Sequence, residues 1–104
     1  MDEIEVVEEF RKDPVESYTI GIPFTGKLPA GTSLASGVFT AVDPAGTDVT
    51  ATVLSSGIAT IDGNEARIDV LAGVHGVDYK LLLVVTLDNG KVLKEVVRMR
   101  VRRL

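Results

Sequence analysis

Residues 79–102 read YKLLLVVTLDNGKVLKEVVRMRVR, and this stretch decides the fold. Two runs rich in Leu and Val flank the triplet Asp88, Asn89 and Gly90. Apolar, β-branched runs on both sides of an Asn-Gly turn are typical of a β-hairpin. The sequence therefore predicts two long antiparallel strands in this part of the chain.

The register of this hairpin follows from its side chains. A two-residue Asn89-Gly90 loop would pair Leu82 with Val97 and Leu81 with Arg98. A three-residue loop with a left-handed Gly90 instead pairs Tyr79 with Met99, Leu81 with Val97 and Val85 with Leu93. Only this second register keeps the two faces distinct, because a slip of one residue would mix them. We therefore predict the three-residue loop, with an apolar face against a second sheet and a basic face formed by Lys80, Lys94, Arg98, Arg100 and Arg102.

The composition is that of a globular protein with one domain. The chain has 104 residues, of which 45% are hydrophobic and 25% charged, which suffices for a core. It has no Cys, which excludes disulfides and thiolate metal sites. The net charge of −4 argues against general nucleic-acid binding.

No segment of the sequence predicts a membrane span or a leader. The longest purely apolar run, residues 81–85, is far shorter than the ~20 residues that cross a bilayer. The chain starts with acidic residues, whereas a signal peptide starts with basic ones. We expect a complete, soluble chain that is not exported by the usual route and binds no membrane.

Charge is unevenly distributed along the chain. Acidic residues crowd the start and basic residues the other end: Asp2, Glu3, Glu5, Glu8 and Glu9, then Arg98, Arg100, Arg102 and Arg103. One interpretation is two solvated surfaces. The other is that the two ends meet, either within one subunit or between neighbouring subunits.

Between the ends, alternating apolar residues predict further strands at residues 17–22, 32–42, 48–54, 57–61 and 65–71. Turns are expected at residues 43–46 and 62–64, and a bulge at Gly37. The predicted fold is all-β, an immunoglobulin-like antiparallel β-sandwich of about seven strands that ends in the hairpin. Residues 1–12 are expected to form an acidic arm, mobile or ordered by a partner, and residues 13–104 the sandwich domain.

The same periodicity predicts the core. The expected buried residues are Tyr18, Ile20, Phe39, Val53, Ile68, Val70, Tyr79, Leu81, Leu83, Val97 and Met99. Tyr79 follows a corner at residues 76–78, where it is either a tyrosine corner, with its hydroxyl bonded back to the corner backbone, or an ordinary core residue.

No residue pattern indicates reaction chemistry. His75 is the single histidine and lies in a loop between Gly73 and Gly76, where we expect it to be exposed. Residues 62–65 lack the alternating oxygen ligands that calcium needs, so we interpret them as a turn. There is no phosphate-binding glycine loop and no nucleophile elbow. We therefore expect no enzyme activity, no cofactor, no metal site and no small-molecule substrate.

Several short patterns together resemble a known family. These are Phe10-Arg11-Lys12-Asp13-Pro14 followed by Tyr18, the loop LPAGTSLAS at residues 28–36, the corner at residues 73–79, the Gly90 hairpin and the closing Val- and Arg-rich strand. The chain resembles, from about Phe10 to Val101, the small immunoglobulin-like structural proteins of tailed bacteriophages described as fibre-tail adaptor or neck/tail proteins. The resemblance implies no catalytic residues.

The resemblance implies a structural virion component that is made in the host cytoplasm. It would assemble in multiple copies, as a homo-oligomer, with other neck, tail or fibre proteins. The alternative is a bacterial immunoglobulin-like binding or adhesion module. If the oppositely charged ends meet between subunits, the contact residues are Ile4, Val7, Phe10, Lys94, Arg98, Arg100 and Arg102.

Overall fold

A computed structural model describes residues 6–24 and 28–103 of the chain. Within these residues, strands account for most of the structure and one helix is present. The strands are β1 (Val6–Lys12), β2 (Tyr18–Pro23), β3 (Leu34–Val42), β4 (Thr60–Asp62), β5 (Glu65–Val70), β6 (Asp78–Leu87) and β7 (Val92–Val101). The helix α1 spans Thr50–Val53. In the described part of the chain, no helix has the length and apolar character that a bilayer crossing requires.

The strands form two sheets packed as a β-sandwich, which confirms the predicted all-β fold. The four-stranded sheet has the order β1-β7-β6-β3, and the three-stranded sheet has the order β2-β5-β4. All pairs are antiparallel except β1 with β7, which is parallel. Because β1 and β2 lie in different sheets, the chain passes from one sheet to the other at residues 13–17.

The C-terminal hairpin has the register that the sequence predicts. Tyr79 pairs with Met99, and Leu81 pairs with Val97. The three-residue loop is closed by the Leu87 N–H, which donates to the Lys91 carbonyl at 2.8 Å. Gly90 has a φ of 87°, in the left-handed region that only glycine adopts without strain.

The core lies between the two sheets and consists of inward-facing residues from both. Leu81, Leu83, Val97 and Met99 are completely or almost completely buried. Of the residues predicted for the core, Phe39, Val53, Ile68, Val70 and Tyr79 are also buried, whereas Tyr18 and Ile20 are partly buried at its border. Alternation along β5, β6 and β7 explains this success, since successive side chains point to opposite faces.

The N-terminal segment differs from the expected arm. Residues 6–12 form an edge strand of the four-stranded sheet, so this part of the acidic segment has a place in the sandwich of its own chain. The strand is stabilised there by parallel pairing with β7, which places Phe10 beside Met99 on the inner side and Glu9 beside Arg98 on the outer side. Residues 1–5 lie outside the described residues.

The prediction of a strand at residues 48–54 is wrong, because this segment contains α1. The Thr50 N–H and hydroxyl both donate to Asp48 Oδ1, at 2.9 and 2.7 Å. These local bonds turn the backbone, and the Leu54 N–H then donates to the Thr50 carbonyl at 3.0 Å. Such Asp and Thr side-chain bonds compete with strand pairing. Val53 is nevertheless buried, because the helical turn directs it into the core.

Two smaller expectations also need correction. The strand expected at residues 57–61 is β4, which begins at Thr60, and Ile58 makes only an isolated bridge with Val38. The bulge expected at Gly37 lies instead between Leu34 and Ser36. A Cβ at Gly37 would lie 3.2 Å from the Ala59 Cβ, so a side chain there would require its neighbours to move by a few tenths of an ångström.

Candidate functional site: the outer face of the four-stranded sheet

The two outer faces of the sandwich differ in polarity. On the three-stranded sheet, Arg67 forms ion pairs with Asp62 at 2.9 Å and with Glu65 at 2.5 Å. The carboxylates of Glu65 and Asp62 raise the pKa of Arg67, with the Glu65 hydrogen bond as the largest cause. The Thr19 hydroxyl donates to Asp69 on the same face. Charged and polar side chains that pair with one another in this way are typical of a surface exposed to solvent.

The outer face of the four-stranded sheet instead carries an apolar patch, which we define as Val38, Leu82, Val84, Val92 and Val96. The register places Leu82 between Thr40 and Val96 across three strands, and Val84 beside Val38. Val38 and Val92 are 52% and 55% exposed, Leu82 and Val84 are partly exposed, and Val96 is buried beside them. Apolar side chains that adjoin one another on a surface are typical of interaction sites, whereas isolated ones are not.

The apolar patch has little depth. Thr40, Leu82, Val84, Lys94 and Val96 border a depression of about 140 Å³. Pockets for small-molecule ligands usually measure about 300–1,000 Å³. The shape of the apolar patch therefore suits contact with another macromolecule rather than binding of a small molecule. A larger depression of about 520 Å³ lies beside the patch, towards the end of the sheet, and is bordered by the charged residues Asp78, Lys80 and Arg98.

One end of the same face carries an ion-pair cluster, which we define as Glu9, Asp78, Arg98, Arg100 and Arg102. Glu9 is bound by Arg98 at 3.2 Å and by Arg100 at 3.6 Å. Asp78 is bound by Arg102 at 2.8 Å and by Arg100 at 3.7 Å. The Asp78 Oδ1 and Arg100 Nε atoms are shielded from solvent and attract each other by charge without a hydrogen bond. The cluster thus joins three strands at one end of the sheet.

The residues predicted from sequence as contact residues are spread over this structure. Arg98, Arg100 and Arg102 belong to the ion-pair cluster, and Lys94 is exposed beside the apolar patch. Phe10 lies on the inner side of β1, with its ring edge-on to the Tyr18 ring at a centroid distance of 6.3 Å. Val7 lies in β1, with the strand register shifted between Val6 and Glu8. Ile4 lies outside the described residues.

Among the described residues, Glu9 connects the acidic start of the chain to its basic end. Glu9 near the start contacts Arg98 and Arg100 near the other end within one subunit. This is one of the two arrangements that the sequence left open.

Sequence reasoning missed the apolar patch, although a signal for it was present. It assigned the even-numbered residues of the hairpin to a basic face, but Leu82, Val84 and Val96 also lie there. Residues 81–85 are apolar without interruption, and such a run indicates a strand that is apolar on both faces. The run was therefore the signal that could have located this patch.

The end of β1 carries a buried lysine. Lys12 faces inward, is fully buried, and donates from Nζ to the Asp13 carbonyl at 2.9 Å. Burial lowers the pKa of Lys12, and the charges of Glu16 and Asp13 oppose this shift. Burial, together with the charge of Glu16, raises the pKa of the Tyr18 hydroxyl.

No arrangement in the described residues suggests catalysis. His75 is exposed as predicted, and its Nδ1 accepts the Arg103 N–H at 2.9 Å. Among these residues there is no group of three or more His, Asp or Glu side chains that could hold a metal ion. The Tyr79 hydroxyl accepts the Val74 N–H at 3.1 Å, which is a structural contact of the tyrosine-corner kind.

The chain is a small β-sandwich with one polar and one partly apolar outer face. Residues 12–100 match the sequence profile of a family described as podophage GP4 fiber-tail adaptor protein gp77. This match covers most of the chain, so the chain belongs to that family of phage fibre-tail adaptor proteins. No curated protein matches the chain.

Proposed function

We propose that this protein joins a tail fibre to the tail of a podophage particle and is present there in multiple copies. Membership of the fibre-tail adaptor family supports a structural role in the virion. The observation that carries the proposal is the difference between the two outer faces. An adaptor needs a surface for a protein partner, and the apolar patch with the adjoining ion-pair cluster supplies one.

In this proposal the four-stranded sheet faces a neighbouring virion protein. Val38 and Val92 supply apolar area, while Lys94 and the arginines of the ion-pair cluster set the orientation. Exposed ion pairs contribute only about 0–1 kcal/mol each, so the apolar residues provide most of the affinity. The N-terminal residues Ile4, Val7 and Phe10 and the basic residues Lys94, Arg98, Arg100 and Arg102 are the proposed contacts between subunits.

We further propose that the chain acts without catalysis, without a cofactor and without binding nucleic acid or membrane. Its site of action is the virion, after synthesis in the host cytoplasm. The immunoglobulin-like assignment also remains a proposal. The orders β7-β6-β3 and β2-β5-β4 support it, since they correspond to the G-F-C and E-centred B-E-D pairings of that sandwich class. No observation favours the alternative of a bacterial adhesion module.

The test is complementation of a phage that lacks this gene, followed by measurement of fibre protein in purified particles. Without the chain, particles should lack fibres. The variant Val38→Asp should fold but restore few fibres, because it places a charge in the apolar patch. Thr60→Asp, an exposed position on the three-stranded sheet, is the matched control and should restore fibres fully.

Two outcomes would contradict the proposal. Particles made without the chain but with a normal fibre content would show that it is not the adaptor. Normal fibre content with Val38→Asp and with a second patch variant, Val84→Asp, would show that the apolar patch is not the contact surface.

A further inference from the structure

We propose that β1 is exchanged between neighbouring copies in the assembled particle, so that Val6–Lys12 of one copy pairs with β7 of the next. The inference rests on the proposed assembly in multiple copies. It assigns the exchanged strand, its receiving edge and its register, none of which the adaptor role requires.

The first support is the position of β1 at the edge of its sheet. It pairs with β7 alone, and β7 begins 80 positions after β1 ends. No hairpin connects β1 to its partner, in contrast to β6 and β7, which are joined by the three-residue loop. The edge of β7 can therefore pair in the same way with β1 of its own copy or with β1 of another copy.

The second support is the joint at residues 13–17. Val15 within it is 88% exposed, and the turn is closed by the Glu16 N–H, which donates to the Asp13 carbonyl at 3.0 Å. The residue before a proline favours an extended conformation, so Asp13-Pro14 is suited to opening. Fully extended, the five residues between β1 and β2 span about 17 Å, which limits exchange to directly adjacent copies.

The third support is that exchange preserves the contacts of β1. Glu9 would meet Arg98 and Arg100 of the neighbour in the same parallel register, and Phe10 would pack beside its Met99. The free-energy difference between closed and exchanged forms is then set mainly by the joint. Because assembly raises the local concentration of neighbours, it shifts the equilibrium towards exchange.

Paired cysteines test this register, since the chain has no cysteine of its own. In Glu9→Cys/Arg98→Cys the two thiols are direct neighbours across β1 and β7. The matched control is Lys80→Cys/Arg98→Cys, which keeps one position and moves the other to β6, a strand that a tight loop ties to β7. Particles carrying each variant are oxidised and examined on denaturing gels without reductant.

The expected result is covalent multimers of the first variant in particles, and monomers of the control in the same preparation. The exchange would be overturned if Glu9→Cys/Arg98→Cys gave only monomers in particles. It would also be overturned if this variant and the control gave equal amounts of multimers. If the first variant fails to enter particles, Arg11→Cys/Arg100→Cys reports the same register with Glu9 intact. Fibre content of the same particles measures the adaptor role separately, so normal fibres with monomeric chains would overturn exchange alone.

Discussion

Glu9 and Arg98 are direct neighbours across β1 and β7, with 3.2 Å between Oε1 and Nη1, although 89 positions separate them in the sequence. The parallel pairing of an early strand with the last strand brings the acidic and basic ends of the chain together. This pairing is a long-range contact, so no local window of the sequence specifies it.

The Glu9 ion pairs should contribute little to stability. Both partners of the Glu9–Arg98 pair are about two-fifths exposed, and exposed pairs contribute about 0–1 kcal/mol. Glu9→Gln should therefore lower the free energy of unfolding by less than about 1 kcal/mol. In denaturant titrations, the difference in unfolding free energy between the wild-type protein and Glu9→Gln should vanish between low salt and about 1 M salt, because the Debye length falls to ~3 Å. A larger loss of unfolding free energy that persists at high salt would show that the ion-pair cluster contributes substantially to the stability of the fold.

Gly90 should tolerate asparagine better than valine. Its φ of 87° is strained for β-branched residues, whereas Asn enters this region more readily. Gly90→Val should cost about 1 kcal/mol or more of unfolding free energy, and Gly90→Asn less. Chemical denaturation of the two variants measures both values. Equal losses would indicate a loop that changes its conformation on substitution.

The Tyr79 hydroxyl should matter more than the Tyr18 hydroxyl. Tyr79 is buried and accepts the Val74 N–H at 3.1 Å, whereas Tyr18 donates to the Arg11 carbonyl at 3.3 Å from a more exposed position. Tyr79→Phe should cost about 1 kcal/mol, because the Val74 N–H loses its partner. Tyr18→Phe should cost less, since water can replace its bond. Thermal melts of the two variants provide the comparison, and the reverse order would argue against a stabilising corner.

Leu81 and Leu82 should respond very differently to truncation. Leu81 is fully buried between the sheets, whereas Leu82 is partly exposed on the outer face. Leu81→Ala should destabilise the domain by roughly 2–5 kcal/mol, and Leu82→Ala by clearly less. The free energy of unfolding in urea measures both. Similar values would show that the outer face is as closely packed as the core.

Asp48 should contribute to the acid sensitivity of the fold. Its hydrogen bonds with the Thr50 hydroxyl and then with the Thr50 backbone lower the pKa of Asp48. A lowered pKa in the folded state means that the contribution is present above the unfolded pKa of about 3.9 and is lost as pH falls through the folded pKa. Asp48→Asn should therefore reduce the loss of stability below about pH 4. Denaturation curves of both proteins between pH 2 and 6 check this, and parallel pH profiles would contradict it.

The sequence by itself determined the C-terminal hairpin. Alternation of apolar residues fixes which side chains face the core, and the left-handed requirement at Gly90 fixes the loop length. Both signals are local, because the side-chain period of a strand is two residues and a turn involves only a few. The exposed position of His75 and the burial of Tyr79 followed from equally local patterns. The same local alternation predicted the basic residues of the candidate site, Lys94, Arg98, Arg100 and Arg102.

The tertiary structure alone decided the remainder. The place of β1 depends on a partner 89 positions away, and a local window contains no information about that pairing. At residues 48–54 an apolar alternation favoured a strand, but the Asp48–Thr50 hydrogen bonds produced a helical turn. The apolar patch became visible only when register placed Leu82, Val84 and Val96 side by side with Val38. Pairing between distant strands, rather than the preference of any one segment, determines that surface.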